Sequence, residues 1–415
     1  MIIKPRCLSA IMLVMIVSLL VPCRGLHDRT DKIGALLTGR VDDRRLISSW
    51  FMYEPMISPL FVPSRSVPGG DAQIRKFVRI YFPRNYEAVQ IQDFILFEGT
   101  QMAMFSPLQQ RWMHDAVLEG TGGMNSRSLL STQYFQDWAD SATQRAFPND
   151  VEALLSLGAI WSRYPRDARI ILEEGTGLPP VLTMFKGKGV PWYLPGYRCA
   201  LVIPRQGAVV WSWIEGPFAD RANEKPGCTP QIISWQYGEG ITWTTHDSLT
   251  EWWWQDPMAN PYGFDIIMNM ILYCTGRQLP ADVEIIHDIR SKIIGFNTRT
   301  VLLLGTIEFA EGFGANMAPI FEGMDDVMNS KGEADEIYLA QEYEQARLAY
   351  SQCIEDLEGL NALAIERKDR ALIWIYLAQW LIVSATLILA GFTLWLLMIR
   401  RRLYREVAST SFRGR

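Results

Sequence analysis

Cysteine and histidine are scarce in this chain of 415 residues, which holds six of the first and four of the second. So few cysteines do not make the disulfide lattice by which small secreted domains replace a core. Nor do Cys199, Cys228, Cys274 and Cys353 fall in a CxxC pair or at the Cys/His spacing of a tetrahedral zinc site. His27, His114, His246 and His287 are scattered, so neither a metal site nor a cofactor is expected. A phosphate-binding loop is missing as well, since Gly238 and Gly240 give only a Gly-x-Gly inside a hairpin pattern. A surplus of positive charge is absent: 40 basic residues stand against 45 acidic ones, which excludes the basic footprint of a nucleic-acid binder. Disorder is excluded too, because 49% of the chain is hydrophobic.

One long apolar run stands out instead. Residues 371–399 carry no charged side chain and exceed the roughly 20 apolar residues that cross a bilayer core, so they read as a transmembrane helix. Arg400, Arg401 and Arg402 follow at once, and such basic flanks stay on the cytoplasmic side. Near the N-terminus, Lys4 and Arg6 precede a short apolar run, residues 8–21, in the layout of a secretory signal over residues 1–25. The same run also fits an uncleaved anchor, and Cys23 fits a lipid-attachment site except that Pro22 stands where a small residue belongs. The expected protein lies in the cell membrane with the lipid bilayer as its first partner. It crosses once, with residues 26–370 outside and a basic tail, 400–415, inside. Residues 26–399 then hold 31 basic and 44 acidic residues, a net of −13. In an exported domain Cys199 and Cys228 could pair, although two buried thiols fit equally well.

Before the anchor, residues 31–70 look like a leading strand and loop. Residues 77–82 (FVRIYF) and 93–97 (DFILF) are β-branched and aromatic runs bounded by turn formers, the signature of strands. Ser106 and Pro107 then open a helix, with Leu108, Trp112, Ala116 and Val117 on its apolar face and Gly120 as its stop. Strand, helix and glycine-rich exit imply an α/β fold, a mainly parallel sheet with helices on its faces. Residues 130–158 read as mostly helical, and residues 181–185 and 197–216 as strands with a hairpin turn at 204–207. The α/β part, residues 26–276, is expected to give way to a helical region, 277–330, with helices at 282–295, 299–311 and 315–329. Residues 331–370 are charged and alanine-rich, and Leu339, Tyr343, Ala346, Tyr350, Cys353, Leu357, Leu360 and Ala364 keep the four-three spacing of a heptad seam. The seam fits either a stalk that dimerises beside the membrane or a helical hairpin turning near Gln341 and Glu342. Gly359 disfavours one unbroken helix.

Residues 106–128 (SPLQQRWMHDAVLEGTGGMNSRS) place a helix, an apolar-x-Glu-Gly turn and a Gly-Gly pair after a DFILF strand. Residues 230–247 (PQIISWQYGEGITWTTHD) add a Tyr-Gly-x-Gly hairpin, and 260–276 (NPYGFDIIMNMILYCTG) a closing helix. Over residues 75–276 the chain thus resembles the class I glutamine-amidotransferase-like superfamily, and its whole layout resembles a set of single-pass membrane proteins known mainly from archaea. The resemblance implies a flavodoxin-like sheet whose ligand cleft lies beyond the carboxyl ends of the strands. A working amidotransferase attacks its substrate with a cysteine thiolate beside a histidine. Here Gly123 is followed by Met124, Asn125, Ser126, Arg127 and Ser128, without a cysteine and without a G-x-S-x-G pattern around either serine.

The candidate cleft residues are therefore Glu98, Ser126 and His246. Glu98 is expected as an exposed carboxylate just past a strand, and Ser126 and Ser128 as small polar residues that cap or line a strand end. His246 is expected as a hydrogen-bonded or surface histidine, not half of a dyad with Asp247, because neighbours on a strand point apart. No residue is given a catalytic role. Trp211, Trp213, Trp235, Trp243 and the run Trp252, Trp253 and Trp254 suggest core packing before sugar stacking. Within the apolar run Gln379 is the only strongly polar side chain, able to bond a partner helix. The expected function is non-catalytic binding or scaffolding at the membrane. The alternatives are a cell-surface hydrolase with a Ser/His site, and a homo-oligomer or membrane-complex subunit held through 339–364 and the transmembrane helix.

Overall fold

The computed structural model describes residues 31–41, 46–65, 70–100, 102–126, 157–163, 168–175, 177–194, 198–204, 206–215, 227–245, 249 and 252–411. The chain divides into two compact units, Met1–Ile293 with Asp335–Arg347, and Ile294–Ala334 with Leu348–Arg415.

In the first unit, strands β1 (Ile33–Gly39) and β3 (Phe94–Glu98) are apolar without alternation, IGALLTG and FILFE, as strands buried on both faces must be. They lie side by side in a nine-stranded sheet together with β2 (Ile57–Pro63), β4 (Gly122–Ser126), β6 (Ala168–Leu172), β7 (Tyr193–Leu194), β9 (Val209–Glu215), β10 (Cys228–Tyr237) and β11 (Gly240–Thr245). The order is β2-β1-β3-β4-β11-β10-β9-β6-β7. From β2 to β11 all neighbours are parallel, and from β11 onward each neighbour is antiparallel. The sheet is thus mixed: the parallel half carries the expected alternation of strand and helix, and the other half is antiparallel. β5 (Leu157–Arg163) and β8 (Arg198–Pro204) form a separate antiparallel pair.

Helices α1 (Leu46–Tyr53), α2 (Gly70–Tyr81), α3 (Tyr86–Gln90), α4 (Pro107–Leu118), α5 (Trp252–Gln255) and α6 (Gly263–Cys274) accompany the sheet. Leu36, Val62, Ile95 and Phe97 form one cluster with Ile74 and Val78 of α2, Val89 of α3, and Met113, Ala116 and Val117 of α4. The alternate residues Ala35, Leu37, Phe94 and Leu96 are equally buried and point to the other face. There α6 crosses β4 and β11, and Trp50 and Phe51 of α1 meet Phe264 of α6 at ring distances of 5.1 and 5.8 Å.

Several local expectations are corrected. Residues 77–81 are the end of helix α2, with Phe82 just past it, and not a strand, because Ile74, Val78 and Phe82 recur every fourth residue and are the ones buried. The leading stretch contains a helix, α1, between two strands. Residues 183–185 form a 3-10 turn. No hairpin joins the strands around residues 204–207: β8 pairs with β5, and β9 enters the main sheet between β10 and β6. Cys228 is buried, and the side chain of Cys199 lies outside the described ones. Helix α4 begins as expected, with Ser106 Oγ accepting from Gln109 N at 3.3 Å and Gln109 Oε1 accepting from Ser106 N at 2.9 Å. Its Leu108, however, is 56% exposed. The helix expected over 130–158 lies outside the described residues apart from 157 and 158, which open β5.

The second unit is helical. α7 (Val283–Gly312) enters it as one unbroken helix where two had been expected, and α8 (Ala318–Leu339) and α9 (Tyr343–Ser411) follow. The α8–α9 turn is made at Gln341, whose φ of 63° is the left-handed value that ends a helix. Cys353, Leu357 and Ala364 of the heptad seam are buried with Phe296, Leu303, Ile307, Met317, Ile320 and Val327. This part of the seam therefore packs against α7 and α8 of its own chain. Gly359 interrupts nothing, and α9 continues for 69 residues, about 100 Å at 1.5 Å per residue. Among the described residues two helices are long and apolar enough to cross a membrane; 28% of the relevant window of α7 is buried in the molecule and 0% of that of α9. Every residue from Tyr376 to Arg402 is exposed.

Two glycines share a φ of 102° and differ in their surroundings. A methyl group on Gly39 would fall 1.9 Å from Glu98 O, whereas Gly177 has open space around it. Gly39→Ala should lower unfolding stability by about 3 kcal/mol or more, strain and overlap together, and Gly177→Ala by about 1 kcal/mol, strain alone. Thermal or urea unfolding of the two variants separates these outcomes.

Candidate functional site

The chain leaves β1 toward β2 and returns on the opposite side of β1 as β3, so the carboxyl ends of β1 and β3 form the crevice where open α/β sheets take ligands. Both strands end in polar-Gly-polar triplets, Thr38-Gly39-Arg40 and Glu98-Gly99-Thr100. Gly39 and Gly99 hold φ values of 102° and 54°, which turn each chain sharply out of the ladder. Thr38 Oγ1 donates to Leu96 O at 2.8 Å and lies 2.8 Å from Thr100 Oγ1. Arg65, just past β2, donates from Nη1 to Gly99 O at 2.9 Å, and Arg40 N donates to Glu98 O at 2.8 Å.

Glu98 is not the exposed loop carboxylate expected from the sequence: it is the last residue of β3, at 0% exposure. Its Oε2 accepts from Leu249 N at 3.2 Å, which ties the segment after β11 to the strand end. Arg40 and Arg65 are also buried, at 7% and 5%, so the crevice collects one carboxylate and two guanidinium groups in a region of low dielectric. Buried charges of this kind persist only when hydrogen-bonded and matched. The ladder sets Glu98 opposite Ser126 and Ser126 opposite Thr245. Glu98 and Ser126 thus share one layer on neighbouring strand ends. His246 follows Thr245 directly and, like Ser128 and Asp247, lies outside the described residues. Thr38, Arg40, Arg65 and Thr100 were missed in the sequence, where the repeated polar-Gly-polar ending was the available signal. The arrangement can orient a polar ligand by hydrogen bonds and charge. Among the described residues no group of three or more His, Cys, Asp or Glu could hold a metal ion.

A second polar cluster binds helices together. Arg290 of α7 donates from Nε to Glu54 Oε2 at 2.9 Å and from Nη1 to Asp265 Oδ1 at 2.7 Å, with all three side chains buried. His287 Nδ1 lies 2.7 Å from Asp265 Oδ2, and its ring stacks on Tyr262 with centroids 4.3 Å apart. Burial works against the charge on Arg290, but the facing Tyr338, Glu54 and Asp265 hold its pKa well above the ordinary value. Burial pushes the Tyr338 hydroxyl well above its ordinary range, with Arg290 opposing and Glu54 and Tyr343 adding to the rise.

The tryptophans are structural. Trp211, Trp243 and Tyr273 pack as a three-ring cluster, and Trp253 and Trp254 meet edge to face at 4.8 Å with both fully buried. Trp211 Nε1 donates to Ser234 Oγ and Trp253 Nε1 to Pro191 O, each at 2.8 Å.

No family model matches this chain, and no curated protein matches it in sequence. Among solved structures it is similar to a cytoplasmic protein of Salmonella typhimurium, with 13% identity and a TM-score of 0.39 over 58% of this chain and 98% of that one. A cytoplasmic protein of Salmonella typhimurium LT2 gives 13% identity and a TM-score of 0.39 over 59% and 97%. An exo-beta-1,4-mannosidase from Opitutaceae bacterium strain TAV5 gives 13% identity and 0.28 over 61% of this chain and 37% of that one.

Replacing Arg290 by Met leaves two buried carboxylates facing each other, and should cost about 3–5 kcal/mol of stability by urea unfolding. Tyr338→Phe tests the same cluster through pH. An unfolded tyrosine titrates near pH 10 and the folded one higher, so its contribution is complete below about pH 10 and is lost as the pH rises through the folded value. The Phe variant should match the parent at about pH 8 and lose less stability between about pH 10 and 11. An unchanged alkaline slope would show that Tyr338 does not titrate differently on folding.

Proposed function

We propose that this chain is a single-pass membrane protein whose α/β unit is a non-catalytic binding or scaffolding domain of the flavodoxin-like, amidotransferase-like kind. The observation that carries the membrane reading is the bare apolar surface of α9, exposed at every residue from Tyr376 to Arg402. Leu387, Ile388 and Leu389 are 68%, 71% and 66% exposed. Leaving a branched apolar side chain in water instead of burying it forfeits about 1.5–3 kcal/mol, repeated along the whole segment, and lipid removes that loss. Arg400, Arg401 and Arg402 then fix the C-terminal end on the cytoplasmic side and the α/β unit outside.

The order β2-β1-β3-β4-β11 of the parallel half supports the flavodoxin-like reading, since that is the 2-1-3-4-5 sequence of this fold. The binding reading draws on the strand-end crevice. The cysteine needed for amidotransferase chemistry is missing after Gly123, and Glu98 is engaged by the Leu249 backbone instead of standing ready as an acid or base. Binding at this crevice requires no group to change its protonation, only Arg40, Arg65 and the threonines to hold an orientation.

The test is fractionation of the full chain from expressing cells. The protein should sediment with membranes and stay there through alkaline carbonate and high salt. A form ending at residue 370 should be released, and external protease should remove the α/β unit while sparing the tail. Release of the full chain by carbonate, or protection of the α/β unit in intact cells, would sink the reading.

A further inference from the structure

A groove of about 1060 Å³ separates the second half of α2, with Pro83 and Arg84, from residues 103–110 and Trp112. One wall carries the guanidinium groups of Arg75, Arg79 and Arg84, all exposed. Arg75 and Arg79 stand four residues apart on α2, about 6 Å along its axis, and Arg84 lines the same groove past the helix end. None of the three makes an ion pair or side-chain hydrogen bond among the described residues, although Asp71 lies one turn before Arg75 and Glu87 three residues after Arg84. Apart from Ser106, Gln109 and Gln110 the rest of the lining is apolar: Ile80 and Leu108 are 51% and 56% exposed at the rim, with Met104 and Trp112 further in. This row of cations sits in a region, residues 26–399, whose net charge is −13.

Three alternatives fit less well. The N-terminus of α4 opens onto the groove, but Ser106 and Gln109 cap each other there, so the attraction for anions lies with the arginines and not with the helix end. The arginines are strung along a helix instead of converging, which suits an extended chain of charges more than a single phosphate. A phosphate backbone would leave Ile80, Leu108 and Trp112 without a partner.

We propose that this groove docks an acidic, extended segment of a partner protein, with carboxylates along the arginine row and apolar side chains against Trp112, Met104 and Leu108. This is the pairing by which arginine clusters read acidic motifs, and its charge term would also steer the encounter. The site is separate from the strand-end crevice and stands or falls without it.

The test uses the full chain in nanodiscs of zwitterionic lipid and a fluorescent peptide of alternating glutamate and leucine, followed by anisotropy. The peptide should bind, bind more weakly as salt is raised, and lose at least about tenfold in affinity to the Arg75→Glu, Arg79→Glu, Arg84→Glu variant. Leu108→Glu should weaken it independently. If the triple variant does not melt like the parent, Arg79→Glu alone takes its place. No binding, equal binding by parent and variant, or equally tight binding of a lysine-leucine peptide would overturn the proposal. So would displacement by inorganic pyrophosphate at the peptide's own concentration, transfer of the interaction to anionic vesicles, or self-association of the chain through the groove.

Discussion

Arg290 is clamped between two carboxylates in a place where water does not reach, and the packing of one whole face of the sheet follows from that clamp. All residues of α6 except Tyr273 are buried, so its single carboxylate, Asp265, has to be matched from within the protein. Arg290 supplies the match and with its second edge takes Glu54, at the end of α1. Glu54 Oε1 also accepts from Met56 N at 3.3 Å, immediately before Ile57 meets Ile33 to start the β1–β2 register. One guanidinium therefore links α1, α6 and α7 to the strand that opens the parallel ladder. Taking ions out of water costs several kcal/mol each, so the three groups are tolerable together and not singly. A parallel sheet needs cover on both faces; the far face gets it from the apolar cluster of α2, α3 and α4 with the His114–Tyr237 hydrogen bond, and this face from apolar packing locked by charge.

What the sequence revealed and what it hid divide along the same line between local and distant causes. The start of α4 was legible because Ser106, Pro107 and Gln109 act on one another within a single turn. The heptad spacing of 339–364 was legible as a buried seam, but spacing carries no information on whose side chains fill the other side. Residues 77–82 misled because their composition favours a strand while their spacing favours a helix, and packing of Ile74, Val78 and Phe82 in one cluster decides for the helix. Position alone placed Glu98 at a strand end. Its burial depends on Gly39, Arg40 and Leu249, the last of them 151 residues away. The Arg290 clamp was invisible, since its partners lie 25 and 236 residues away in the chain.

The strand-end crevice and the arginine groove are different kinds of surface. In the crevice the charges are buried and held by neighbouring backbone, so a ligand there would meet fixed dipoles and lose little to reorganisation. In the groove the charges are long, solvated side chains that must be ordered by whatever binds, which favours contact along a length over affinity at a point. Recognition at either surface needs placement of charge and shape and no movement of electrons.

Helix α9 contains no proline from Tyr343 to Ser411, and neither Gly359 nor Gly391 interrupts it. Sharp bends in helices have identifiable causes, and proline is the commonest of them. The rod that packs against Phe296, Leu303 and Ile320 at one end is therefore the same rod whose bare apolar length runs on to Arg400. Such a rod has no joint at which a disturbance could be absorbed. Twisting or leaning of the apolar length would therefore act as torque on Cys353, Leu357 and Ala364 of the same helix.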